Sequence, residues 1–471
     1  MANFIVAIEL GSSKITGVAG EKYGGGIKVL AVAREDAGQC IHKGVVYNVD
    51  KTRERLISII GKLKKALKTD ITQVYVGVGG MSLQSVRNVI VKDLPTNTMI
   101  TQNMVNELMD TNRSVSYPDE QLIDSTTLEF KVDSLFSADP VGIPANRIEG
   151  NFLNIMLRKA FYKNLNMAFD NAGITIADMF PAPLTLADGV LTDNEKRSGC
   201  VLIDLGAETT TVAVFYKNML RRLCVVPLGG YNITKDIATF PMDETEAENL
   251  KLKYGSAFTP CNDIDKTVKY TIDNDRSIAS NILVDMVEAR TNEIIKNVLA
   301  QIPHDLDDKL LAGIVLTGGA SNMRNIEKAF ADATSLKIRT AKFVNFSVSV
   351  PSSIAISHDG TMNTVLSLLN DGTQNCAGDS LENPDLFGGS KTFAAQQPQN
   401  TTAFGPVGVQ NSSSVNEKTQ PGGKPSQPII EEESKPKADN DKKKEKKTDT
   451  KASKIWKWVN TKVNDLLAPG E

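Results

Sequence analysis

The chain has 471 residues, 41% apolar and 23% charged, with a formal net charge of −3. This length is enough for two or three domains with sizeable cores, and the charge balance excludes general nucleic-acid binding, so no nucleic-acid partner is expected. Without a run of about 18 apolar residues to cross a bilayer, and with an acid at Glu9 interrupting any signal-peptide core, the chain is expected to stay in the cytoplasm.

Residues 4–18 read F-I-V-A-I-E-L-G-S-S-K-I-T-G-V, two apolar runs around Glu9-Leu10-Gly11, the pattern of a β-hairpin with a polar turn. Residues 21–26 have the composition of a turn, and residues 27–32 alternate as a strand. Residues 53–67 place Leu56, Ile59, Ile60, Leu63 and Leu67 at the spacing of an amphipathic helix, and a buried strand is predicted at 74–78. From about residue 86 to residue 157 the texture changes. Strand-like pieces at 86–91, 125–132 and 148–155 flank a helical piece at 102–113, which predicts a small α+β insertion with its own sheet. A helix at 160–172 stops at Gly173.

Residues 200–215 repeat the opening pattern, with Asp204-Leu205-Gly206 in the place of Glu9-Leu10-Gly11. Two acid-Leu-Gly hairpins point to a duplicated domain with a site between its halves. Helices are predicted at 244–254 and 278–299. A buried strand from residue 312 ends in Thr317-Gly318-Gly319-Ala320-Ser321, with Asn322 near the start of a helix that runs to Phe330. A helix at 361–369 closes the globular part. Residues 371–454, poor in large apolar side chains, predict a disordered tether. Beyond it, Ile455, Trp456, Trp458, Val459, Val463, Leu466 and Leu467 fall on one side of a helical wheel opposite Lys457, Asn460, Thr461 and Asn464. That amphipathic helix is predicted to lie on a membrane surface, and residues 442–447 add attraction to anionic lipid.

Glycine turns at strand ends let backbone N–H groups approach phosphate. Gly11, Ser12, Ser13 and Lys14 form one such turn; Gly206, Ala207, Glu208, Thr209 and Thr210 form another. Glu9 and Asp204 could hold a hydrated Mg²⁺ from opposite sides. Gly318, Gly319 and Ala320 supply a third turn suited to a base and ribose.

The order of these motifs resembles the actin, hexokinase and Hsp70 superfamily, and within it the chain resembles the FtsA family of bacterial cell-division proteins. The likeness is carried by the small insertion, by residues 246–257 (E-A-E-N-L-K-L-K-Y-G-S-A), by residues 312–320 (A-G-I-V-L-T-G-G-A) and by the tether with its terminal helix. It covers residues 1–370 and the terminal helix. It implies an α/β class, a two-lobed actin-like (duplicated ribonuclease H-like) ATPase fold with an α+β insertion, the 1C subdomain. Lobe 1 would comprise residues 1–85, 160–194 and, after lobe 2, 346–370, with the insertion at 86–159. Lobe 2 would comprise 195–240, subdomain 2B at 241–302, and 303–345, followed by a linker at 371–452 and the membrane helix at 453–467.

The resemblance also implies ATP and Mg²⁺ as cofactors, with Glu248 and Lys251 flanking base and ribose, and Arg290 receiving the C-terminal tail of FtsZ. The alternative for Arg290 is a solvated helix face. The implied role is to polymerise and to tether FtsZ filaments to the cytoplasmic side of the inner membrane at the septum, beside other divisome proteins. Departures from the family pattern matter here. Ala207 and Glu208 stand where glycines are common, Thr211 stands where an acid is common, and Ala182 stands where a water-orienting Gln or Glu is common. Glu208 either crowds a γ-phosphate or turns to solvent. ATP hydrolysis is expected to be weak or absent. The rival readings are a sugar-kinase-like enzyme, which lacks a convincing catalytic base, and a pilus-assembly or cell-shape relative.

Overall fold

Two antiparallel hairpins of the same design organise the molecule. In the computed structural model, which describes residues 3–377 except 261, 263, 274 and 358, β1 (Asn3–Leu10) pairs with β2 (Lys14–Tyr23), ending at Leu10 opposite Ile15. The tether from residue 378 and the amphipathic helix at 453–467 lie outside the described residues. Phe4 to Ile8 of β1 are all buried, which is why this strand is apolar without alternation: it lies mid-sheet and is covered on both faces.

β3 (Gly26–Asp36) continues the meander through a tight Gly24–Gly25 turn, so the turn composition at 21–26 yields mostly to strand. The two-residue strands β4 (Ile41–His42) and β5 (Val45–Val46) form a miniature hairpin that the sequence pattern does not announce. Helix α1 (Val49–Leu67) starts at Asn48, whose side chain accepts the Lys51 N–H, and buries Leu56, Ile59, Ile60, Leu63 and Leu67, the predicted stripe. β6 (Gln73–Val78) then runs parallel to β1.

The insertion follows as β7 (Gln84–Met99), α2 (Gln102–Ser114), β8 (Glu120–Val132), β9 (Leu135–Ser137) and β10 (Pro144–Arg158), in the sheet order β7-β10-β8-β9. Its strands outrun the predicted pieces because ladder pairing carries them through polar stretches such as Lys92-Asp93. Leu108 of α2 joins Phe130, Val132, Ile148 and Phe152 in a separate small core. Beside it a buried polar cluster is satisfied internally: Asn112 Nδ2 donates to Ser125 Oγ (2.7 Å) and to Asn154 Oδ1 (2.8 Å).

The chain returns through α3 (Lys159–Ala172), capped by left-handed Gly173, and β11 (Thr175–Pro181), which extends the first sheet beside β6. It crosses through α4 (Ala182–Val190) and α5 (Asp193–Ser198) into lobe 2. There β12 (Cys200–Leu205) pairs with β13 (Thr210–Tyr216), ending at Leu205 opposite Thr210, and β14 (Met219–Val226) completes the meander. α6 (Gly230–Ile237) and α7 (Glu244–Tyr254) precede a short ribbon, β15 (Lys269–Thr271) with β16 (Ser277–Ala279), and α8 (Ser280–Leu299). β17 (Gly313–Thr317) lies parallel to β12, and after α9 (Ile326–Ala333) comes β18 (Ile338–Thr340).

The two sheets therefore repeat one plan. β11-β6-β1-β2-β3 in lobe 1 matches β18-β17-β12-β13-β14 in lobe 2. This is the duplicated, two-lobed actin-like architecture. α9 begins later than the sequence suggests, because Asn322 lies in a short 3₁₀ turn and donates to the carbonyls of Gly319 (3.2 Å) and Asp359 (2.8 Å). β19 (Ser347–Ser349) and α10 (Asn363–Asp371) rejoin lobe 1. Beyond residue 371, the expected start of the tether, the chain still packs on lobe 1: the Cys376 N–H donates to the Phe4 carbonyl at 2.8 Å.

Candidate functional site

The duplicated hairpins close in the same way. The Gly11 N–H donates to the Lys14 carbonyl at 3.1 Å, and the Gly206 N–H donates to the Thr209 carbonyl at 2.9 Å. A Cβ added at Gly11 would stand 2.9 Å from the Lys14 oxygen, and one at Gly206 would stand 2.7 Å from the Thr209 oxygen. Each glycine is thus needed by its turn before any ligand is considered.

The acids that precede these glycines face a common, poorly solvated space. Burial, reinforced by the charge of Asp204, pushes the Glu9 carboxyl up to about 8, against the pull of Lys14. Burial pushes Asp204 up to about 6. The third turn abuts the same acid: Gly318 has φ 87°, and a Cβ there would meet Asp204 Oδ1 at 2.3 Å. The loop predicted for the adenosine lies directly against the second hairpin.

On the lobe 2 side, α6 opens on this turn. The Gly230 N–H donates to the Gly206 carbonyl (3.0 Å) and the Tyr231 N–H to the Ala207 carbonyl (2.7 Å). Lys251 Nζ donates to the Gly230 carbonyl (3.1 Å), to Thr234 Oγ1 (2.9 Å) and to Glu248 Oε2 (2.6 Å). A Cβ on Gly230 would be 3.0 Å from the Ala320 Cβ and 3.8 Å from Lys251 Nζ. Gly206, Ala207, Glu248, Lys251, Gly318 and Ala320 are therefore brought together around the start of α6. Gly319 stands open, with nothing nearer to an added Cβ than Thr361 at 3.6 Å. Gly229, Gly230 and Thr234 belong to the same group, and their signal in the sequence is a glycine pair opening a helix.

Other predicted residues are placed differently from a simple phosphate cradle. Thr210 is buried and its hydroxyl donates to the Leu228 carbonyl at 2.9 Å, bracing the approach to α6. Ser13 accepts the Ala37 N–H through its carbonyl at 3.2 Å. Glu208 does not turn to solvent: its side chain is 16% exposed, its Oε2 accepts the Lys43 N–H at 2.5 Å, and its Oε1 lies 3.8 Å from His42 Nδ1. Ser12 Oγ accepts the neighbouring Gly44 N–H at 2.8 Å. Ala182 begins α4, with its methyl close against Gly77 of β6: a Cβ on Gly77 would be 3.3 Å from it.

Arg290 is half-buried and already paired. Its Nε and Nη2 donate to both oxygens of Asp236 on α6 at 2.6 and 2.8 Å, and its Nη1 to Glu293 at 2.5 Å. The hydrogen bonds to Asp236, and then its charge, hold the guanidinium more firmly protonated than usual. Ile455, Trp456, Trp458, Val459, Val463, Leu466 and Leu467 lie outside the described residues. No helix among the described residues is long and apolar enough to cross a membrane.

Comparison with known proteins agrees with this architecture. A family model described as "Cell division protein FtsA" matches residues 201–357, and one described as "SHS2 domain inserted in FTSA" matches residues 80–156, the inserted sheet. The cell division protein FtsA of Porphyromonas gingivalis is 30% identical over 72% of this chain and 73% of its own length. That of Pseudomonas aeruginosa is 26% identical over 68% of this chain and 78% of its own. Among solved structures, a PilM-PilN type IV pilus biogenesis complex superposes with a TM-score of 0.56 at 16% identity, over 78% of this chain and 97% of that one, a likeness of fold. With the duplicated sheets, the inserted subdomain and a relative at this identity over most of both chains, the chain belongs to the FtsA family of cell division proteins.

Proposed function

We propose that the chain binds ATP with Mg²⁺ between the two hairpin turns, assembles into filaments, and holds FtsZ filaments to the cytoplasmic face of the inner membrane at the septum. The observation that carries this reading is the convergence of the two matched turns and the Gly318 loop on Glu9 and Asp204. Two carboxylates that hold protons to about 8 and about 6 are a donor set that a hydrated divalent cation would relieve, so the residues fit Mg²⁺. When bound, the cation would neutralise phosphate charge. The chain's own part is to bind and orient. Gly11 to Lys14 and Gly206 to Thr209 would face the phosphates, while Ala320, Gly230, Lys251 and Glu248 would border base and ribose. The Ala182 methyl, set against Gly77, can orient no water, which favours a nucleotide held over one rapidly consumed.

Family membership supports the cell-division role, and the amphipathic pattern of residues 453–467 supports the membrane role. An FtsZ tail that pairs with Arg290 would have to displace Asp236, so its binding carries the cost of opening an existing bidentate pair. The inserted subdomain is offered for other division proteins. The test is co-sedimentation of the full chain with anionic vesicles and FtsZ, with and without Mg-ATP. FtsZ should pellet with the vesicles only when the chain is present, and Trp456→Glu with Trp458→Glu should leave both proteins in the supernatant. Undiminished pelleting of that variant would sink the membrane assignment. Gly206 is a poor probe of nucleotide binding because its substitution breaks the turn itself; Lys251→Met is the cleaner one, and should weaken ATP binding measured by calorimetry.

A further inference from the structure

The β4–β5 hairpin turns at Lys43 and Gly44, with φ of 49° and 72°. Two successive left-handed residues make the tight turn that suits a two-residue hairpin, and its two central N–H groups are not used in pairing the strands. Here each of them goes to a different one of the duplicated turns: Lys43 N–H to the Glu208 carboxylate of lobe 2, and Gly44 N–H to the Ser12 hydroxyl of lobe 1. The same tip holds the root of the insertion. The Lys43 carbonyl accepts the Met81 N–H at 2.8 Å, and a Cβ on Gly80 would stand 2.4 Å from the Gly44 oxygen, so backbone rests on backbone. A few residues on, Ser85 Oγ accepts the Leu223 N–H of β14 at 2.8 Å. The insertion is thereby pinned to lobe 1 through the tip and to lobe 2 through Ser85.

We propose that the Glu208–Lys43 contact is a latch that reports the number of phosphates in the cleft to the root of the inserted subdomain. The inference rests on the nucleotide reading given above. A polyphosphate between the turns brings negative charge towards the one carboxylate borne by either turn, and like charges in a poorly solvated cleft repel. A third phosphate loosens Glu208 from the Lys43 N–H; a diphosphate leaves the latch closed. Ser12 can accept the Gly44 N–H and still donate its own proton to phosphate, so it holds the tip in both states. Releasing the latch frees Lys43 and, through its carbonyl, Met81 at the entry to β7.

The test is hydrogen exchange at the amides of residues 43 and 79–83 in the full chain, with Mg-ADP and with Mg-AMPPNP, while calorimetry follows the binding of each. Exchange should be faster with Mg-AMPPNP by at least about fivefold, the lower end of usual coupling between two sites. Glu208→Gln keeps an acceptor for the Lys43 N–H without the charge, and should exchange slowly with either nucleotide. Glu208→Ala should exchange fast with either. Equal rates in the parent chain when both nucleotides bind, or a full difference retained by Glu208→Gln, overturn the latch alone. Failure of the parent chain to bind either nucleotide overturns the reading beneath it, and the latch with it.

Discussion

Gly318 and Gly319 are neighbours in sequence and opposites in tolerance. Gly318 combines a left-handed φ of 87° with a virtual Cβ 2.3 Å from Asp204 Oδ1 and 2.5 Å from the Leu205 carbonyl, whereas a methyl on Gly319 meets nothing nearer than 3.6 Å. Gly318→Ala should therefore lower stability by about 3 kcal/mol and abolish nucleotide binding, while Gly319→Ala should melt close to the parent; thermal denaturation and calorimetry on the pair check both. At this scale the sequence was legible where a residue type has one physical use. Acid-Leu-Gly at a strand end announced both turns, and Thr317-Gly318-Gly319 announced the third. It was illegible where the partner decides the role. Nothing local says that Glu208 meets a backbone N–H more than a hundred residues upstream in the chain, or that Arg290 is already held by Asp236.

Among the elements, α1 is fastened to β3 by one carboxylate. Glu35, its side chain 12% exposed, accepts from Ser58 Oγ (2.5 Å) and Lys62 Nζ (2.6 Å), with Arg55 at 3.5 Å. Hydrogen bonds from Lys62 and then Ser58 hold its pKa below the ordinary 4.5. A depressed folded-state pKa means that its stabilisation is fully present above the unfolded value and is lost as pH falls through the folded one. Glu35→Gln should cost about 1–2 kcal/mol at neutral pH, and the gap between variant and parent in urea midpoint should narrow as pH is lowered below 4.5. Long periodic helices such as α1 and α8 were readable because one stripe of apolar residues suffices to define them. The β4–β5 hairpin was not: strands of two residues show no period, and their reason for existing is the turn between them, which serves distant partners.

At the scale of the molecule, lobe 1 is discontinuous and lobe 2 is not. β12 to β18 lie within one continuous stretch, residues 200–340, whereas the sheet of lobe 1 takes β19 from beyond lobe 2, and β1 receives the Cys376 N–H on the Phe4 carbonyl. The Val6 N–H also donates to Cys376 Sγ at 3.3 Å across a separation of 370 residues. In refolding with pulsed exchange labelling, amides of β12 and β13 should gain protection before those of β1, and simultaneous protection would count against this order. The same tie has a consequence during synthesis. β6 pairs with Ala7 to Glu9 soon after β1 is made, but the hydrogen bonds of Phe4 and Val6 wait for Cys376, 370 residues after Val6, so for most of translation the start of β1 is an open stretch of strand that a chaperone would have reason to cover.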